Sequence, residues 1–139
     1  MFRFVFCCFV VLLALVVGCD GSGNVSLKGK VTFSDDGSPL TVGTVGFRKE
    51  GKIARGDIQK DGTYVVGFDQ VANGLPPGKY HVFISSACKV VGHNDATQED
   101  MMEPMIAKKY ENPDTSGLSL EVTSSTKVFD IEVDRFTKK

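Results

Sequence analysis

Gly74-Leu75-Pro76-Pro77-Gly78-Lys79-Tyr80-His81-Val82-Phe83-Ile84-Ser85 decides how this chain folds. Two prolines between two glycines enforce a tight, non-helical turn, because proline holds φ and donates no N–H while glycine admits φ > 0. From Tyr80 the residues alternate: Tyr80, Val82 and Ile84 fall on one face, and Lys79, His81, Phe83 and Ser85 on the other. That period of two marks a half-buried strand. Just upstream, Asp61-Gly62-Thr63-Tyr64 is a second turn running into the strand Tyr64-Val65-Val66-Gly67-Phe68. Turn, strand, turn, strand is the pattern of a β-sandwich.

Working outward, the same pattern reaches both ends of the folded part. Val25 to Phe33 alternates, with Gly29 at an inward position where a bulge or a close backbone approach is expected. Ser34 to Leu40 is dense in turn formers, and its Asp35-Asp36-Gly37 lacks the spaced oxygen ligands and terminal Glu of a calcium loop, so it reads as a plain turn. Val42 to Lys49 gives a strand with Val45 and Phe47 inward, Glu50-Gly51-Lys52 turns it, and Ile53 to Lys60 follows as another strand. Near the C-terminus, Leu118 to Thr123 alternates, Ser124 to Lys127 turns, and Phe129 to Asp134 alternates again. A closing hairpin is expected there, with Leu118, Leu120 and Val122 meeting Phe129, Ile131 and Val133 across the pair. Glu121, Asp130, Glu132 and Asp134 would then keep its outer face wet. The predicted fold is all-β: a single antiparallel β-sandwich of about seven strands without a helix.

Three pieces carry a family resemblance. Leu27-Lys28-Gly29-Lys30-Val31, then Asp61-Gly62-Thr63-Tyr64, then Gly74 to Val82 resemble, in that order, the G-x-V strand, D-G-x-Y turn and L-P-x-G-x-Y turn of the carboxypeptidase regulatory-like domain. That domain is a transthyretin-like (prealbumin-like), Ig-like β-sandwich. The likeness spans about residues 25–86 and concerns structural motifs, so it implies a fold and no activity. A transthyretin-like hydrolase of 5-hydroxyisourate uses His and Arg residues and a C-terminal Tyr-Arg-Gly-Ser motif, whereas this chain ends Asp134-Arg135-Phe136-Thr137-Lys138-Lys139. Its two histidines, His81 and His93, sit in no recognisable pattern with Ser85 or Ser86. The expectation is therefore a protein that is not an enzyme and has no cofactor, with a hydrolase of this fold as the alternative.

The N-terminus reads as a targeting segment. Arg3 precedes an uninterrupted apolar run from Phe4 to Val17, shorter than the ~20 residues of a membrane-spanning helix. Val16-Val17-Gly18-Cys19 resembles the lipobox of bacterial lipoprotein signal peptides. The resemblance implies cleavage between Gly18 and Cys19, diacylglyceryl transfer to the Cys19 thiol and further acylation, palmitate-type chains being the anchor. Residues 1–18 are then the signal peptide, 19–24 a flexible glycine-rich tether, and 25–139 the sandwich. Localisation in a bacterial cell envelope, held to membrane lipid through Cys19, follows from the same resemblance, with inner and outer membrane both open.

Charge and cysteines narrow the partners. The net charge is −1, and removing Arg3 with the leader leaves 15 basic against 17 acidic residues, so no basic field calls for nucleic acid. Cys7 and Cys8 lie in the apolar run and Cys19 ends it, leaving Cys88 alone in the folded part, where a buried, inert thiol is expected.

Between the strand that ends at Ser85 and the closing pair, the alternation stops. Residues 87–117 read as a long crossover loop, and loops of that size are commonly functional. Cys88, His93, Met101, Met102 and Met105 are donors suited to a soft metal such as Cu(I), although no two share a recurrent spacing, so no metal site is assigned and copper binding stays an alternative. Pro104 to Leu118, with its Lys109-Tyr110 pair and Thr115-Ser116-Gly117-Leu118, resembles a segment of small lipoproteins of planctomycete and related bacteria. Tyr110 is expected to pin this crossover onto the sandwich, and His93, Met101, Met102, Met105 and Tyr110 are the candidate interaction residues. The functional expectation is an envelope lipoprotein whose sandwich is a structural or binding module, with an envelope protein or a glycan as partner.

Overall fold

The computed structural model describes residues 23–68 and 73–138. Gly18 and Cys19, and with them the expected signal peptide, lie outside the described residues. The strands are β1 (Lys28–Phe33), β2 (Thr44–Lys49), β3 (Lys52–Asp57), β4 (Thr63–Val65), β5 (Gly78–Ser85), β6 (Cys88–Asn94), β7 (Glu99–Pro104), β8 (Leu118–Val122) and β9 (Ile131–Val133). Among the described residues one sheet has the order β4-β1-β9 and the other β3-β2-β5-β8, while β6 and β7 pair only with each other. The two larger sheets stack as an all-β sandwich, and they touch along one edge, where Arg55 and Gly67 exchange both backbone hydrogen bonds at 2.9 Å.

Alternation explains which side chains fill the space between the sheets. Tyr80, Val82 and Ile84 of β5 are buried while Lys79 and His81 are exposed. Val45 and Phe47 of β2 are fully buried, and Val31, Phe33, Ile131 and Val133 meet them from the opposite sheet. Phe47 sits at the centre, its ring 6.2–6.4 Å from those of Tyr64, Tyr80 and Phe129. Aromatic rings at such spacing add edge and offset contacts to the area they bury.

The motif residues turn out to be joints of this frame. A Cβ on Gly29 would lie 1.9 Å from the Phe129 carbonyl oxygen, so close approach, one of the two expectations for this glycine, is what the packing requires. The Tyr64 hydroxyl donates to that same oxygen. Burial pushes the Tyr64 phenol up, which keeps it a donor. The Tyr80 hydroxyl donates to the Pro76 carbonyl at 2.8 Å, fastening the double-proline turn to its own strand. Gly74 has φ +79°, and a Cβ there would meet the Val25 carbonyl oxygen at 2.4 Å. Its neighbour Leu75 bridges Val25, so the turn holds the first described residues of the chain.

Three expectations need correction. β8 and β9 form no hairpin: β8 pairs antiparallel with β5, and β9 pairs parallel with β1, Val31 facing Ile131. Their apolar faces still share the core, but from opposite sheets. Residues 87–117 are not an irregular loop throughout, because β6 and β7 make a hairpin and a single 3-10 turn spans Lys108–Glu111. The Cys88 thiol is half-buried and unpaired rather than buried.

Strand directions set which loops share an end. β1, β3, β5 and β9 run away from the end where Val25 enters, and β2, β4 and β8 return to it. The β2–β3 turn, the Gly74–Pro77 turn and the start of the β8–β9 connection lie at the entry end. The Ser34–Gly43 connection, the β3–β4 turn and the β6–β7 hairpin lie at the far end.

Candidate functional site

The far end carries β6 and β7, which among the described residues pair with neither of the larger sheets. β6 and β7 form a two-stranded arm whose seven-residue strand reaches about 20 Å at the usual rise per residue. Its pairs run Cys88 with Pro104, Lys89 with Glu103, Val90 with Met102, Gly92 with Met101, His93 with Asp100 and Asn94 with Glu99, and the register shifts at Val91. That bulge twists the arm and leaves Val91 without a cross-strand partner. At the tip, the Asn94 side chain accepts from Ala96 N–H at 3.0 Å, and Gln98 takes φ +57° to close the turn.

Pairing assigns the side chains to faces. Val90, Met102, His93 and Asp100 share one face, while Lys89, Glu103, Gly92 and Met101 share the other. Both faces are wet, and yet Val90 (58%), Val91 (52%), Met101 (56%) and Met102 (56%) are more than half exposed. Unbranched methionines beside valines make an adaptable apolar surface. Around them stand Asp95, Glu99, Asp100 and Glu103 against the single Lys89. Lys89 pairs with Glu103 at 3.0 Å, and the His93 ring meets Asp100 at 2.9 Å.

The base of the arm is clasped to the sandwich. Met105 N–H donates to the Ala87 carbonyl at 2.8 Å, and Phe136 N–H donates to the Met105 carbonyl at 3.0 Å. Tyr110 is buried, its hydroxyl donating to the Asp134 carboxylate at 3.1 Å. Lys109 reaches that carboxylate at 2.7 Å and Ser34 at 2.9 Å. Led by the Lys109 contact, these hydrogen bonds hold the Asp134 carboxyl down at about 2. Thr115 and Ser116 give their hydroxyls to the carbonyls of Lys109 and Val82. Nearby, Arg135 spans Asp35 and Asp36 at 2.8 Å each and lies 3.7 Å over the Phe33 ring. Asp36 is lowered to about 2, chiefly by the Ser38 hydroxyl and N–H and secondarily by Arg135.

The five candidate interaction residues therefore divide. His93, Met101 and Met102 stand on the arm, Met105 packs half-buried at its base against the core, and Tyr110 is a core residue. Cys88 is at the root, His93 near the tip and Met101 on the opposite face from Met102, so the soft donors are not brought to one point. Among the described residues no three His, Cys, Asp or Glu side chains converge as a metal site would require. Val90 and Val91 are the exposed apolar side chains of the arm that were not among the candidate interaction residues. Their signal was two adjacent valines beside a glycine in an otherwise polar stretch.

No family model matches the chain, and no curated protein matches it. Solved structures similar to the chain include a DUF3823 family protein from Bacteroides ovatus at 17% identity and TM-score 0.42, covering 79% of this chain and 44% of that one. A DUF3823 family protein from Parabacteroides merdae is similar at 13% identity and TM-score 0.42, over 81% of this chain and 47% of that one. The major pilin subunit of Bacillus cereus is similar at 8% identity and TM-score 0.47, over 83% and 30%. The chain spans less than half the length of each, and the sandwich rests here on its own strand pairing.

Proposed function

We propose that this chain is a non-enzymatic envelope lipoprotein, held to membrane lipid through Cys19, whose β-sandwich presents the β6–β7 arm to a protein partner. One observation carries the reading: four apolar side chains, Val90, Val91, Met101 and Met102, are more than half exposed on a hairpin that projects from the core. Exposed apolar clusters rimmed by charge are the mark of a contact surface. Val90 and Met102 lie on one face and Met101 on the other, so the matched partner has an apolar groove that takes the arm on both faces, and the acidic rim calls for basic groups at its border. Topology supports the arrangement, because the arm leaves the end opposite the entry of Val25, and an anchor at Cys19 would turn the arm away from the bilayer. The transthyretin-like kinship belongs to this proposal, supported by the joint roles of Gly29, Tyr64 and Tyr80.

The test uses the full chain in a bacterial host, with a photo-crosslinking residue placed at Val91, at Met102 or at the exposed Ser119 on the outer face of β8. Crosslinks from the two arm positions and not from Ser119, together with release of a Cys19→Ala variant from the membrane fraction, are expected. Crosslinking equally from Ser119, or from none of the three, would overturn the arm's role. Membrane retention of the Cys19→Ala variant would overturn the anchor.

A further inference from the structure

The end of the sandwich opposite the arm differs from it in charge. Lys28 opens β1, and its N–H donates to the carbonyl of Lys127 at 3.2 Å, placing both at the entry end. Lys49 and Lys52 face each other across the β2–β3 turn, and Lys79 is the second residue of β5, two before the exposed His81. Against these five lysines the described residues set Glu50 and Glu121 at this end, Glu121 lying across from Lys79 in the β5–β8 register, with Asp130 a little further in beside Lys30 and Asp114 ion-paired with Arg48. Lys28, Lys52, Lys79 and Lys127 are exposed. An open depression of about 540 Å³ lies among Arg48, Lys49, Glu50, Gly51, Lys79 and His81. The arm, by contrast, carries four carboxylates against one lysine.

We infer that this lysine-rich end is a seat for an anionic lipid surface, which holds the sandwich upright on the membrane and fixes the arm's outward direction. The inference rests on the anchoring through Cys19. Two observations on separate elements converge on it: Val25, from which the tether leads back to Cys19, enters at this end, and the lysines of four strands and a turn gather at the same end. A lipid anchor alone leaves a domain free to tumble on a short tether, whereas an acyl chain plus a basic patch makes two signals that add. Each lysine near an anionic leaflet strengthens association by about fivefold, and the effect falls off within a Debye length. The acidic arm is repelled from the same surface, so both ends favour one orientation.

The test is lysine acetylation of the acylated full chain on vesicles of phosphatidylglycerol or of phosphatidylcholine, read peptide by peptide by mass spectrometry. Lys60, Lys108 and Lys138, exposed at the far end, are the internal references. On anionic vesicles, acetylation of Lys28, Lys52, Lys79 and Lys127 is expected to drop at least about fivefold relative to the references. The drop should disappear on phosphatidylcholine and in about 1 M salt, where screening is nearly complete. Equal labelling of both ends on anionic vesicles would overturn the seat while leaving the anchor intact. A chain that sediments with neither vesicle would remove the anchor and the seat with it. A variant carrying K28Q, K52Q, K79Q and K127Q should still sediment through its lipid yet label its remaining lysines alike on both vesicles. Lys49 is left in place there because its ammonium donates to the Pro77 carbonyl at 2.9 Å and lies 5.8 Å from the Tyr80 ring.

Discussion

Gly29 and Gly92 are both strand glycines, and they show how differently the sandwich and the arm are built. A Cβ on Gly29 would press into the Phe129 carbonyl at 1.9 Å, whereas a Cβ on Gly92 would meet only the Met101 sulfur at 3.6 Å. In the sandwich each inward-facing position is constrained from two sides, by the paired strand and by the facing sheet. On the arm only the paired strand constrains it. Stability is therefore concentrated in the sandwich, and the side chains of the arm are free to be chosen for contact.

Truncating the centre of the core sharpens that contrast most. Phe47→Ala removes the ring around which Tyr64, Tyr80 and Phe129 pack, and is expected to cost about 3–5 kcal/mol by urea unfolding. Met101→Ala on the arm should stay within about 0.5 kcal/mol. Equal losses would break the comparison.

The glycine pair gives the next effect. Gly29→Ala is expected to lower stability by about 2 kcal/mol, since neither the Phe129 backbone nor the Tyr64 hydroxyl beside it can withdraw without losing their hydrogen bond. Gly92→Ala should be nearly neutral, and guanidinium titrations of the two variants side by side decide it.

A smaller effect is expected at the clasp between the two regions. Asp134 and Asp36 sit near 2 against an ordinary value of 3.8, so folding gains from their ionised forms above about pH 4 and loses that gain as pH falls toward 2. Asp134→Asn should flatten the fall in thermal midpoint over that interval. An acid profile identical to the native chain would show that the hydrogen bonds from Lys109, Ser34 and Tyr110 do not couple to folding.

The sandwich was legible in the sequence because burial on one face writes a period of two into each strand. Val82 and Ile84 against His81 show it, as do Val45 and Phe47. Pairing partners were less legible. Leu118–Val122 and Ile131–Val133 alternate identically whether they form a hairpin or join two sheets, so the connection from β8 across to β9 was invisible. The arm left no such trace: with solvent on both faces, Gln98-Glu99-Asp100-Met101-Met102 has no buried face to alternate with. Its methionines drew attention as soft donors, while the valines that share the surface did not. Arg135 and the entry-end lysines were hidden for another reason, since the contacts that unite them link residues up to 100 positions apart.

The most direct measurement is one variant read in two ways, with Val90→Ser, Val91→Ser, Met101→Ser and Met102→Ser made together in the full chain. The thermal midpoint should match the native chain within about the shift of a single surface substitution, and photo-crosslinks from a reporter at His93 on the arm should be lost. A variant that unfolds like a core mutant, or one that keeps its crosslinks, would contradict the division between a sandwich that supplies stability and an arm that supplies contact.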